Sequence, residues 1–210
     1  MIRLAISVEG VTEEDFVKRS LGPHLRGRGV YVTPILLGRP RGTARVHGDV
    51  TVDRVVNDMQ RLRHSHDAVT SLVDFYGFRG KGTKSVGDLL RVIADRIGGS
   101  GHGFVFPYIQ MHEFEGLLFS NVEAFESLLP QAPVDALRSI RAGFGTPEDI
   151  NDSPTTAPSK RLERLIPGYR KRWDSPDLGE EIGLGRLRSE CPRFQAWLQR
   201  LEALGESAGR

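Results

Sequence analysis

Leu4-Ala-Ile-Ser-Val-Glu-Gly-Val-Thr-Glu-Glu14 decides the fold of this chain. A short apolar run stops at an acid, turns on a glycine and restarts as a helix whose first turn is acidic. Alternating strand and helix is the unit of an α/β fold, and such folds place ligand sites at the carboxyl ends of their strands. Glu9 falls at such an end, with Glu13 one turn later at the helix start. A second apolar run, Ala68-Val-Thr-Ser-Leu-Val-Asp-Phe-Tyr-Gly77, also ends in an acid, Asp74. A third, Gly103-Phe-Val-Phe-Pro-Tyr-Ile-Gln110, runs into Met111-His-Glu-Phe-Glu115. Three strands that each stop at carboxylates predict one acidic cluster, and clustered oxygen ligands suit Mg2+ or Mn2+.

Working outward, strands are predicted over 2–8, 30–37, 68–74 and 103–110. Between them the spacing predicts helices from Thr12 to Leu21, Val50 to Leu62 and Val86 to Ile97. Thr12 is the expected N-cap of the first, Glu13, Glu14 and Asp15 complement its dipole, and Gly22-Pro23 is expected to end or kink it. Val52, Val55, Val56, Met59 and Leu62 recur at helical spacing, as do Leu89, Leu90, Ile93 and Ile97. The order β-α-β-α-β-α-β argues for a mostly parallel sheet with helices on both faces. After residue 111 the pattern turns helical: 115–119, 122–129, 134–142, 159–166 and 194–204. Residues 143–158, rich in Gly, Pro, Asp, Ser and Thr, read as a long functional or mobile loop, and 205–210 as a frayed end. The expected organisation is an α/β core over 1–120 with a helical extension, 121–210, packed on it as one unit.

Of the 210 residues, 39% are hydrophobic and 27% charged, enough for one substantial core. No apolar run approaches the roughly 20 residues that span a bilayer. The chain starts in a strand, without the charged lead and apolar stretch of a secretory signal, so a cytoplasmic protein is expected. A lone Cys191 excludes an internal disulfide and a cysteine-based zinc site. With a net charge of +2, any affinity for nucleic acid must come from local basic patches.

The acids Glu9, Glu13, Asp74, Glu113 and Glu115 carry the candidate chemistry. Crowded carboxylates repel unless some protonate or a cation neutralises them. A divalent ion held by oxygens polarises phosphoryl groups and lowers the pKa of bound water. Acids in first helical turns are also favoured by the helix dipole alone, a bland reading that fits Glu14 and Asp15 well and Glu13 or Glu115 in part. Glu9 and Asp74, each directly after a buried strand, fit it least. His112 is read first as hydrogen-bonding support beside the acids, with metal ligation or acid–base work as the alternative.

Val8-Glu-Gly-Val-Thr-Glu13 with Val73-Asp-Phe-Tyr-Gly77 resembles the Toprim fold of topoisomerases, DnaG-type primases and OLD-family nucleases. His112-Glu-Phe-Glu-Gly-Leu-Leu-Phe119, Ile150-Asn-Asp-Ser-Pro-Thr-Thr-Ala-Pro-Ser-Lys-Arg161, Ile182-Gly-Leu184 and Cys191-Pro-Arg-Phe-Gln-Ala-Trp-Leu198 resemble an uncharacterised bacterial Toprim-like family, domain of unknown function family 4276. The resemblance implies a Toprim-like sheet, with Glu9 as the glutamate ending the first strand and Asp74 as the first aspartate of Asp-x-Asp. Tyr76 stands where the second aspartate belongs, which removes one implied ligand. Glu13 matches the further glutamate of OLD-like nucleases, and Glu113 or Glu115 replaces the missing acid. The two would share a face on a strand and diverge on a helix.

Basic loops flank these acids: Arg39, Arg41 and Arg45 after the second strand, and Arg79, Lys81 and Lys84 after Asp74. Such loops approach phosphates, and the second is favoured by its adjacency to Asp74. Lys160 is the expected catalytic lysine, stabilising charge on a phosphate, with Arg161 beside it as a nucleic-acid contact and Ser159 as a helix cap. Arg170-Lys-Arg172 reads as decoration of an exposed helix or turn. Trp173, Phe194 and Trp197 read as core or subunit-interface anchors. The leading expectation is a nuclease dependent on Mg2+ or Mn2+, acting on DNA or RNA. By resemblance it works in anti-phage defence beside an ATPase of AAA or ABC type, expected as a separate chain because no Gly-x-x-x-x-Gly-Lys-Ser/Thr loop occurs here. The alternatives are a non-catalytic Toprim-like scaffold or regulatory subunit, and a phosphoryl-transfer enzyme acting on a small nucleotide.

Overall fold

Strand β1 (Ile2–Val8) lies at the centre of the protein, and Leu4, Ala5, Ile6 and Val8 are all fully buried. The computed structural model describes residues 1–38, 50–98, 104–151 and 155–207. Beside β1 run β2 (Val30–Leu36) on one side and β3 (Ala68–Asp74) on the other, with β4 (Phe104–Phe106) beyond β3; every pairing is parallel. Burial on both faces is what a parallel sheet requires, and it is why β3 reads as an unbroken buried run. The expected α/β architecture, a parallel sheet flanked by helices and followed by a helical C-terminal part, is the one observed.

The strand predicted over 103–110 is two pieces. Pro107 interrupts it, and β5 (Ile109–Gln110) resumes pairing with the end of β3, Val73 opposite Ile109 and Asp74 opposite Gln110. Proline cannot donate to a ladder, so the strand leaves the sheet there. The Ser71 hydroxyl fills the gap: it donates to the Tyr108 carbonyl at 2.8 Å and accepts from the Tyr108 amide at 3.0 Å.

The first helix also departs from expectation. Helix α1 (Val11–Phe16) is capped by Gly10 rather than Thr12, because the Glu13 carboxylate reaches back to accept from the Gly10 amide at 2.9 Å. The helix then widens into a π-helical segment (Val17–Leu21) and continues as α2 (Gly22–Arg26) through Pro23. In the widened turn the Gly22 amide reaches the Val17 carbonyl, five residues back. That extra residue gives the proline ring room, so the helix neither stops nor breaks.

Alternation along the strands sorts the core into two layers. Leu4, Ile6, Val8 and Leu72 face α1, α2 and the C-terminal helices. Ala5, Val69 and Val73 face α3 (Val52–Leu62) and α4 (Val86–Ile97). The C-terminal part consists of α5 (Glu115–Leu118), α6 (Ala124–Leu128), α7 (Val134–Ala142), α8 (Pro158–Leu165), α9 (Lys171–Glu190) and α10 (Pro192–Ser207). It shares the first core layer: Phe16 meets Phe114 and Phe194 at 4.9 and 6.2 Å between ring centroids, and Tyr108 stacks on Trp197 at 4.5 Å. Phe194 and Trp197 are thus core residues, and the Trp197 indole N–H donates to Thr70 of β3 at 3.0 Å. Trp173 is instead 52% exposed, with the Arg172 guanidinium over its ring.

Helix α9 lay hidden in the sequence. Pro176 sits inside it, and Gly183, at φ 76°, breaks it into two runs. One of its glycines serves packing: a Cβ on Gly179 would stand 3.1 Å from the Phe16 ring. No helix of the described residues is long and apolar enough to cross a membrane.

The Ser71 hydroxyl bonds both polar groups of the Tyr108 backbone in the broken strand. Ser71→Ala leaves a buried amide and a buried carbonyl without it, so the metal-free protein should lose roughly 2–4 kcal/mol in urea unfolding. A variant as stable as the wild type would show that the break is held by other means.

Candidate functional site

The strand order β2-β1-β3-β4 reverses direction between β1 and β3. The crevice outside the carboxyl ends of such neighbours is the topological switch point, where α/β sheets bind ligands. Glu9 and Asp74 stand at that point. Val8 pairs with Leu72, so β3 runs two residues past β1 and its Asp74 amide has no backbone partner on that side. The Glu9 carboxylate supplies one, accepting from the Asp74 amide at 3.1 Å. Gly77 closes over it: a Cβ there would lie 2.7 Å from Glu9 Oε1, so the glycine of Val73-Asp-Phe-Tyr-Gly77 is required for close approach.

The other acids join through backbone amides. Asp74 Oδ1 accepts from the Phe114 amide at 2.9 Å, which ties the end of β3 to the turn between β5 and α5. Glu113 accepts from the Ser159 amide at 2.9 Å in the first turn of α8. Glu115, fully buried at the first turn of α5, accepts from Ser175 Oγ at 3.0 Å and pairs with the Lys171 ammonium at 2.8 Å. The Tyr169 hydroxyl, 2.6 Å from Ser175 Oγ, backs that contact. The junction between strand and helix thus lets Glu113 and Glu115 both serve the cluster, although they are two residues apart. No pattern in the sequence marks Lys171. It lies in a basic run far in sequence from the five acids, and its first-turn place on α9 carries it into the cluster.

Charge and burial compete here. Burial pushes the Glu13 carboxyl up to about 7; the Lys171 ammonium pulls it down, while Glu115 and Glu9 push it further up. Burial, then the charges of Glu13 and Glu9, hold Asp74 well above the usual carboxylate range. Burial raises Glu9 too, against the Asp74 amide and Lys171 and with the charges of Glu113 and Glu115. For Lys171, burial works against the charge, but Glu115, Asp74, Glu113 and Glu13 outweigh it and hold the ammonium well above its ordinary pKa. Among the described residues one cation, Lys171, therefore stands among the five carboxylates, and the raised pKa values of Glu9, Glu13 and Asp74 favour proton uptake there.

The remaining predicted residues lie around this centre. His112 adopts φ 62°, an uncommon conformation for a residue with a side chain, and its Nδ1 is 3.1 Å from Asn151 Nδ2. Burial lowers its pKa and so favours the neutral imidazole. Tyr76 is held by its amide to the His112 carbonyl at 2.9 Å, with its ring beneath the Lys81 ammonium. Lys81 folds back on its own loop, donating to the Phe75 and Tyr76 carbonyls at 2.8 and 3.3 Å. Lys84 and Arg79 are exposed on that loop. Lys160 points outward and pairs with Glu163 at 2.7 Å. Arg161 is buried, donating to the Thr156 carbonyl at 2.6 Å, with the Phe144 ring against its guanidinium. Arg39, Arg41 and Arg45 fall outside the described residues. The lysine that reaches the acids is therefore Lys171, and Lys81 and Arg161 hold local structure.

A family model described as a domain of unknown function, DUF4276, matches residues 8–202. The chain belongs to this family. No curated protein and no solved structure matches it.

As a donor set, five carboxylates without sulfur suit a hard divalent ion by chemistry and by charge. One oxygen each of Glu9, Glu13, Asp74 and Glu113 takes a backbone amide, which leaves the second oxygen of each without a hydrogen bond among the described residues. As the side chains stand, no three His, Cys, Asp or Glu groups of the described residues converge as a ligand set.

The sign of the pH dependence follows from Glu13. Its folded pKa of about 7 lies above the ordinary 4.5, so folding takes up a proton between those values. The stabilising effect of that proton is complete below pH 4.5 and is lost as pH rises through about 7. In EDTA, thermal stability should fall across this window. Glu13→Gln should flatten the fall, leaving the variant more stable than the wild type above it by on the order of 3 kcal/mol. Parallel pH profiles for the two proteins would place the proton elsewhere.

Proposed function

We propose that this protein is a divalent-metal-dependent nuclease that hydrolyses phosphodiester bonds of DNA or RNA. The observation that carries this reading is the placement of Glu9, Glu13, Asp74, Glu113 and Glu115 at the switch point of a parallel sheet, with Glu9, Glu13 and Asp74 held above the usual carboxylate range. Buried acids with strongly perturbed pKa values and specific charge partners are candidates for a functional site. The likeness of Val8-Glu-Gly and Val73-Asp-Phe-Tyr to Toprim motifs supports the same reading. Glu9, Glu13 and Asp74 would hold Mg2+ or Mn2+, with Glu113 or Glu115 in place of the aspartate that Tyr76 replaces. The bound ion would supply Lewis acidity toward a phosphoryl oxygen and an acidified water.

The chain's own groups provide the rest. Backbone amides of Gly10, Asp74, Phe114 and Ser159 fix one oxygen of four carboxylates, so the acids are oriented before any ligand arrives. Lys171 is the ammonium within reach of the cluster and the group suited to offset charge on a phosphate. Arg79 and Lys84, exposed on the loop after Asp74, would be the contacts to a phosphate backbone.

One observation favours the scaffold reading: Lys171 already pairs with Glu115, which partly satisfies the acids without metal. A cleavage panel separates the two. The wild type should cut plasmid DNA or transfer RNA with Mg2+ or Mn2+ and not in EDTA. Asp74→Asn and Glu9→Gln, which keep the hydrogen-bonding shape, should lose about two orders of magnitude in rate. Both variants should match or exceed the wild type's melting temperature in EDTA, because each removes a repelling charge. A wild type that binds Mn2+ and cuts nothing would favour the scaffold.

A further inference from the structure

Lys171 stands where an incoming divalent ion would have to act. Its ammonium contacts Glu115 at 2.8 Å, and Glu115 is fully buried with its other oxygen held by Ser175. Glu115 therefore cannot turn to another cation without leaving a fixed position. Glu9, Glu13, Asp74 and Glu113 all lie close enough for their charges and the ammonium's to act on one another. Lys171 is also tethered: it is the first residue of α9, and Asp174 in the same turn accepts from the Arg170 amide at 2.6 Å. A lysine has a long, flexible stem and a compact charge, so it can withdraw without moving the helix.

We propose that Lys171 is a built-in counter-cation of the acidic site, so that its ion pair with Glu115 and the binding of a divalent ion compete. This rests on the metal-site reading above and adds to it a specific role for a residue outside the ligand set. The physical reason is that the metal-free protein must keep five carboxylates together at neutral pH. A single fixed ammonium does that at low cost, because it holds Glu115 directly and screens the other four. When a doubly charged ion enters, ion and ammonium repel across a poorly screened interior, and Lys171 is the partner free to leave. In the metal-free state Lys171 thus holds the acids in place. In the metal-bound state it is freed toward the entering phosphate.

Direct binding, rather than cleavage, tests this. Mn2+ affinity would be measured by calorimetry and by the electron paramagnetic resonance of free Mn2+, on the wild type, Lys171→Met and Lys171→Arg. Lys171→Met should bind Mn2+ about tenfold tighter or more, melt lower than the wild type in EDTA, and regain its stability when Mn2+ is added. Lys171→Arg keeps the charge and should stay near the wild type in both measurements. Should Lys171→Met fail to fold without metal, Glu115→Gln/Lys171→Met, compared with Glu115→Gln alone, carries the same test. With the Glu115 charge absent the double variant should melt close to the single one, and it should still bind Mn2+ more tightly. Mn2+ binding of Lys171→Met equal to or weaker than that of a binding wild type overturns the competition and leaves the metal site standing. Absence of Mn2+ binding in every protein overturns both. Tighter binding by Lys171→Met in a protein that cleaves nothing upholds the counter-cation and removes only the nuclease reading.

Discussion

Five carboxylates held beside one ammonium is the constraint on which the rest of this structure turns. Unpaired carboxylates are costly to bury, and the cost grows when they share a site. The protein meets it in three ways. Backbone amides at Gly10, Asp74, Phe114 and Ser159 each donate to one acid. Among the described residues, Lys171 supplies the full positive charge. Raised affinity for protons at Glu9, Glu13 and Asp74 takes up part of what remains. Arrangements of this kind persist in folds for what they bind, because a well-packed apolar substitute would be at least as stable.

The sheet explains why the acids meet. Parallel strands joined by helical crossovers put all their carboxyl ends on one edge, and the reversal of strand order falls between β1 and β3, where Glu9 and Asp74 stand. The two-residue overhang of β3 leaves an amide that only a side chain can satisfy, and Glu9 is the side chain in place. The break at Pro107 then matters beyond its own strand. By resuming at Ile109 the chain pairs with that overhang and delivers His112, Glu113 and Glu115 to the same edge. A continuous strand would have carried those residues along the sheet instead.

Legibility followed the reach of local rules. Apolar runs that end in acids made β1, β3 and the positions of Glu9 and Asp74 readable, and helical periodicity with a Ser85 cap made α4 readable to its ends. The π-helical turn was not readable, because its cause is the accommodation of Pro23 within a packed helix. Helix α9 was obscured by Pro176, by the break at Gly183 and by Gly179, whose lack of a Cβ lets the helix meet Phe16. The sequence points to Lys160 as the lysine beside the acids. Instead, Ser159 offers its amide to Glu113 while Lys160 turns outward to Glu163. Lys171 could be placed only by knowing where α9 begins, and that is a tertiary fact.

That same fact bears on how the chain divides. An α/β unit ending near residue 120 would hold all five acids but lack everything that steadies them from the far side. The Ser159 amide on Glu113, and Lys171 and Ser175 on Glu115, all come from beyond that point. The same region braces the acid-bearing turn from behind. Glu148 caps the start of α10 through the Arg193 and Phe194 amides at 2.8 and 3.1 Å, and Phe194 packs on Phe16 behind Glu13. With those partners gone, Glu115 and Glu113 would face either solvent or one another, and the turn from β5 to α5 would lose the contacts that fix it. The strands bring the acids to one edge, and the C-terminal helices make it possible for them to stay there.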